Sequence, residues 1–159
     1  MDLEGDLVAA RFARGCRCFA VLVDGAVGGY GWLSVEPEWV GELQLEIKPG
    51  NGEGYIWNCV TLTEHRRKGV FRSLLMGISN VARQEGMRRL WIGSIAVPGE
   101  RAVGSSGFEP GLRFTTANFA GLHWMRVSPT SDRSLVVDAC SVLSTRPGWY
   151  VRRSQNRRH

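Results

Sequence analysis

Between Tyr55 and Val97 the hydrophobic period changes twice, and those changes limit the chain to a small set of folds. Tyr55 to Leu62 is apolar on both faces, as expected of a strand inside a sheet. After Thr63 the spacing becomes helical. Val70, Leu74, Leu75, Ile78 and Val81 fall at i, i+4, i+5, i+8 and i+11, one stripe that stops near Gly86. Leu90 to Val97 reads as a strand again. Strand, crossover helix and strand make a βαβ unit, whose two strands run parallel with a right-handed crossover.

The flanking segments add elements to that unit. A short helix is predicted over Asp2 to Arg14, ended by Gly15. Cys16 to Val23 and Ala26 to Val35 flank Asp24-Gly25, a strong hairpin signal. Gly28, Gly29 and Gly31 in the second of these strands predict a bulge or a close backbone approach. Val40 to Lys48 alternates, with Leu43, Leu45 and Ile47 on one face and Glu42, Gln44, Glu46 and Lys48 on the other, so one strand is expected. Arg113 to Val127 is a late strand region, and a helix over Arg133 to Leu143 precedes a tail. The fold class is α/β, with a main domain over 1–128 and a C-terminal helix and basic tail over 129–159.

Composition narrows the functional classes. At 159 residues the chain suits one core without staples, and no apolar run approaches the ~20 residues of a membrane span. The start is acidic, Met1-Asp2-Leu3-Glu4, so the expectation is no signal peptide, no membrane partner and a cytoplasmic protein. Cys16, Cys18, Cys59 and Cys140 and the scattered His65, His123 and His159 show no ligand spacing. The cysteines are expected as buried small hydrophobes, and no metal is expected. Arg152, Arg153, Arg157 and Arg158 supply most of the net charge of +5, which leaves the body near neutral. Nucleic-acid contact is therefore expected only as weak, salt-sensitive binding by the tail, with the strand tryptophans Trp32, Trp57 and Trp91 in the core.

The chemistry lies in the turn between the apolar strand and the long helix. Arg66-Arg67-Lys68-Gly69 leads straight into the first helical turn. Amides there lack partners and carry the positive end of the helix dipole, so they suit a phosphate. Gly69 lets the backbone approach an anion, and Arg66, Arg67, Lys68 and Arg72 add charge. A dinucleotide fold needs G-x-G-x-x-G after its first strand, and a P-loop needs Gly-Lys-Ser or Gly-Lys-Thr; neither occurs.

Arg66-Arg67-Lys68-Gly69-Val70-Phe71 resembles the signature of the GNAT superfamily of acyl-CoA-dependent N-acyltransferases: Arg or Gln, two residues, Gly, one residue, then Gly or Ala. The match holds at Arg66 and Gly69 and departs at Phe71. Ser106-Gly107-Phe108-Glu109 resembles the Gly-Phe that closes the family's next helical segment. The resemblance covers about Cys16 to Val127 and implies a mixed, mostly antiparallel sheet, a splayed central parallel pair and flanking helices. The region before Cys16 is short for the family.

The resemblance also implies acetyl-CoA as co-substrate and transfer of its acetyl group to a primary amine, on a small molecule or a protein. Arg66, Arg67, Lys68, Gly69, Val70, Phe71 and Arg72 are then the residues at the pyrophosphate. Val60 and Leu62 meet the pantetheine arm through their main chain, and an N–H near Val60 polarises the thioester carbonyl. Where many members carry a tyrosine acid, this chain has Val103. The candidates for acid and base are Ser105, Glu42 and Glu46, with Ser106 beside Ser105 and Glu53 and Glu64 in or near loops. The alternative is a catalytically degenerate member that binds acyl-CoA or a partner without turnover. Either a second copy of the chain covers the side left open by the short N-terminus, or that side stays open to a large acceptor such as a protein amine, with the homodimer slightly favoured.

Overall fold

The structure, a computed structural model, describes residues 3–153, with the backbone alone for 3–5 and 96–98. Met1, Asp2 and the distal arginines Arg157 and Arg158 lie outside the described residues. The chain forms two compact units: Met1–Pro37 with Pro49–Phe108, and Glu38–Lys48 with Glu109–His159.

The first unit opens with α1 (Leu3–Ala13), closed by Gly15 at φ 80°, whose N–H donates to Phe12 O. Strands β1 (Arg17–Val23) and β2 (Ala26–Ser34) form the hairpin that Asp24-Gly25 foretells; both turn residues sit at positive φ. Two very short strands, β3 (Glu38–Val40) and β4 (Leu45–Ile47), belong to the second unit, and β5 (Glu53–Thr61) resumes the first. A 3-10 turn over Thr63–His65 leads through the basic loop into α2 (Val70–Gln84), followed by β6 (Arg89–Ile92) and α3 (Ala96–Gly104). Strand order in the sheet is β1-β2-β5-β6, antiparallel except for β5 and β6, which run parallel. This is the mixed, mostly antiparallel α/β class with one parallel pair and flanking helices.

The helical stripe packs on one sheet face. Leu74, Leu75 and Ile78 of α2 join Leu33 of β2 and Ile56 of β5 in a buried cluster, with Phe19, Val21, Val103 and Phe108 against its edge. An Arg17–Glu85 ion pair at 2.6 Å ties β1 to the end of α2. The glycines of β2 make the close approach possible. A Cβ at Gly29 would stand 2.8 Å from both Val60 O and Val70 Cγ1, and one at Gly31 would stand 2.8 Å from Cys59 Sγ. Gly29→Ala therefore pushes β2 off β5 and α2, because one of the atoms it meets is backbone. The expected cost is about 1–3 kcal/mol, read from urea unfolding; an unchanged midpoint would show that the contact relaxes freely.

Besides the β3–β4 pair, the second unit has a separate three-stranded sheet of β7 (Leu112–Phe119), β8 (Leu122–Pro129) and β9 (Gly148–Arg153), with α4 (Arg133–Val142) between the last two in sequence. Leu45, Met125 and Val127 form its core with Leu112, Phe114 and Tyr150 beside them.

Four expectations change here: the strand expected over Leu90 to Val97 is only β6, Arg89–Ile92, and Ala96 already opens α3. The strand expected over Val40 to Lys48 is broken by a turn. Leu43 and Gln44 donate to Val40 O and Gly41 O, and Gln44 takes φ 50°, so alternation survives in sequence while the chain reverses. The late strand region is a hairpin, turned at Ala120-Gly121 with φ 49° and 73°. Part of the expected basic tail is strand: β9 pairs with β8 from Leu122↔Arg153 to Val127↔Gly148, which satisfies the far edge of β8. Tyr150 anchors it, its hydroxyl accepting from Arg146 N and donating to Arg146 O. Charge masked the β-prone run Trp149-Tyr150-Val151.

The cysteine and tryptophan expectations hold only in part. Cys16 and Trp32 are buried, Cys59, Cys140, Trp57 and Trp91 are half-buried, and Cys18 is exposed. No helix among the described residues is long and apolar enough to cross a membrane.

Candidate active site

The site grows from the place where β5 and β6 part. Their pairing runs from Glu53↔Arg89 to Ile56↔Ile92, but β5 continues to Thr61. Residues 57–61 thus have no β6 partner on that side, and their outward amides and carbonyls form an open edge. The backbone also bends there. Asn58 takes φ 45°, and Asn58 and Cys59 together face Gly31, since Trp57 pairs with Trp32 and Val60 with Tyr30. That is a β-bulge on β5, a device that re-aims a strand beside a site. The glycines of β2 foreshadow it; Asn58 itself gives little sequence signal beyond its tolerance of left-handed φ.

Beyond Thr61 the chain turns towards α2. Leu62 N donates to Gly28 O at 3.0 Å, and His65 N to Leu62 O at 2.9 Å. Arg67 is left-handed at φ 62°, and Gly69 is left-handed at φ 79° as the residue capping α2. The first helical bond is Ser73 N to Gly69 O at 2.9 Å, so the amides of Val70, Phe71 and Arg72 precede the helical ladder. Arg66, Arg67, Lys68 and Arg72 are exposed, and among the described residues none of them pairs with a carboxylate. An open strand edge thus runs into a basic helix N-terminus within one short segment. The combination fits an extended chain that ends in a pyrophosphate.

The predicted coenzyme residues divide by what they can offer. Val70 is buried and Phe71 packs against the α2 cluster, so both present only their amides. A Cβ at Gly69 meets nothing within 4 Å, so it is the backbone angle, not protein packing, that favours glycine there. His65 rests against Gly28, with a buried Nδ1 that has no partner among the described residues.

The acid and base candidates are dispersed. Ser105 is exposed and donates to Ala102 O at 2.9 Å, as Ser106 does at 2.8 Å, so both hydroxyls serve the end of α3. Glu53 accepts from Trp91 Nε1 and Gly50 N. Glu64 is exposed on the 3-10 turn. Glu42 and Glu46 belong to the second unit, Glu42 in the β3–β4 turn and Glu46 paired with Lys48 at 3.0 Å. Val103 packs on the core. Burial pushes the Cys59 thiol up to about 11, which makes it a poor nucleophile near neutral pH. A groove of about 680 Å³ lined by Arg133, Cys140, Thr145 and Tyr150 lies wholly in the second unit and holds none of the predicted residues.

The family model of the GNAT acetyltransferases matches residues 2–105, a span that includes the bulge, the loop and α2. The chain belongs to the acetyltransferase (GNAT) family. Solved structures with the same fold include AAC(6')-Iy in complex with the bisubstrate analog CoA-S-monomethyl-acetylneamine, at 15% identity and TM-score 0.55 over 74% of this chain and 80% of that one. A structure from Agrobacterium tumefaciens described as an acetyltransferase shares 19% identity at TM-score 0.54, covering 75% and 77%. An acetyltransferase from Trypanosoma brucei shares 17% identity at TM-score 0.51, covering 72% and 77%. No curated protein sequence matches the chain. In this GNAT chain the loop Arg66–Gly69 joins the 3-10 turn that follows β5 to the start of α2.

Proposed function

We propose that this GNAT protein is an N-acetyltransferase that moves an acetyl group from acetyl-CoA to a primary amine. The observation that carries the reading is the continuity of the open β5 edge with the basic N-terminus of α2. The amides of Gly69, Val70, Phe71 and Arg72 bind the pyrophosphate, and Arg66, Arg67 and Lys68 lower the cost of gathering its charge. The main chain of Val60 and Leu62 holds the pantetheine arm, and an N–H near Val60 steadies the developing oxyanion. A thioester is already activated, so fixing an amine beside it supplies much of the rate by proximity. Four free thiols suit the reducing cytoplasm, where we place the enzyme.

One observation favours a second reading, a non-catalytic acyl-CoA binder: Val103 packs on the core where many family members carry a tyrosine. Turnover separates the two. Acetyl-CoA at about 100 times its dissociation constant should stabilise the protein by about 2.7 kcal/mol, visible as a raised Tm. Release of free thiol on adding an amine panel then marks transfer. No shift at millimolar acetyl-CoA overturns both readings; a shift without transfer leaves only the second.

A further inference from the structure

Trp32 and Trp57 are partners across β2 and β5, with ring centroids 6.1 Å apart and planes tilted by 33°. The guanidinium of Arg11, from α1, lies over both, 5.1 Å from the Trp32 centroid and 4.7 Å from that of Trp57. Two indole faces around one cation are a recognition site for that cation. Trp57 also stands immediately before Asn58, the bulged residue at the mouth of the proposed thioester site.

Two features mark this arrangement as more than a staple for α1. First, the indole N–H groups of Trp32 and Trp57 are both buried with no acceptor among the described residues, and Trp32 as a whole is only 2% exposed. Buried indole N–H groups ordinarily find a partner, and leaving one unpaired is costly. Second, α1 sits lightly on the sheet. Phe12 touches Trp32 at a ring distance of 5.1 Å yet stays 54% exposed, and Leu7 is equally exposed. A helix that contributes little burial can give up its contact to a ligand.

We infer that the Trp32–Trp57 pair is an acceptor subsite for a guanidinium group, and that Arg11 occupies it until the acceptor arrives. The inference rests on the proposed transferase reading and adds the substrate class. The acceptor is an amine with a guanidinium at its far end and a carbonyl oxygen beside the amine that can accept an indole hydrogen bond. Three strand steps, with Asn58 and Cys59 between, take Trp57 to Val60, roughly 10 Å at most and less across the bulge, comparable with the span of an arginine side chain measured from its α-amine. An arginine derivative, free or at a peptide N-terminus, meets all three requirements.

Tryptophan fluorescence without coenzyme tests the subsite by itself, with L-argininamide as probe and butylamine as comparator. Arg11→Ala removes an intramolecular competitor and should bind argininamide about ten-fold tighter than the wild type. Adding Trp57→Leu to that variant should cancel the gain, while butylamine should give no saturable signal with any of them. A peptide beginning with arginine, run in parallel, tells a small-molecule acceptor from a peptide one. The acetyl-CoA thermal shift, retained in each variant, certifies the fold. If Arg11→Ala binds argininamide no tighter, or butylamine binds equally well, the subsite is wrong even though the coenzyme shift stands. If the coenzyme shift fails while argininamide still binds, the transferase reading falls instead.

Discussion

Replacing Gly69 by Asp should weaken acetyl-CoA binding by roughly 100-fold or more, about 2.7 kcal/mol. Two physical terms act together. Gly69 sits at φ 79°, where a side chain strains the backbone by about 1–2 kcal/mol. The new carboxylate also stands at the start of α2, competing with the pyrophosphate for the same amides and repelling it. Gly69→Ala separates the terms. A Cβ there meets nothing within 4 Å, so alanine brings strain without charge and should keep most of the affinity. Calorimetric titration of both variants reads the difference. Equal affinity in Gly69→Asp and wild type would remove the loop from the coenzyme site.

The largest effect on stability is expected from Leu75→Ala, at about 3–5 kcal/mol. Leu75 has no measurable exposure and lies in the cluster with Leu33, Ile56, Leu74 and Ile78, so truncation leaves a cavity bounded by sheet on one side and helix on the other. A loss of that size is a large fraction of the 5–15 kcal/mol that holds a typical domain together. At about 2–4 °C per kcal/mol, Tm should fall by roughly 10 °C. The denaturant midpoint should drop with an unchanged slope, since the variant alters stability and not the surface exposed. The same helix carries the amides proposed to hold the pyrophosphate, so acetyl-CoA should recover part of the lost Tm. A loss below about 1 kcal/mol would mean that the site collapses around the gap.

The features legible in the chain are those that local chemistry dictates. The stripe Val70, Leu74, Leu75 and Ile78 had to be one helix face, although its last buried residue is Ala82 and not the expected Val81; Asp24-Gly25 had to be a tight hairpin, and Gly69 between basic residues and a helical stripe had to be a helix start. Each depends on neighbours within one or two turns of the chain, so periodicity and turn propensity suffice. The rest depended on partners far away in sequence. Alternation from Val40 to Lys48 fits one strand or two equally well, and only Gln44 at φ 50° decides for two. The run from Gly148 to Arg153 became a strand because β8 offered an edge, a pairing no window around it contains. The bulge at Asn58, the parting of β5 from β6 after Ile56 and the cation over Trp32 and Trp57 are likewise products of register between β2, β5, β6 and α1. Register is set by which side chains fit together across a sheet, and that fit exists only once the sheet has formed.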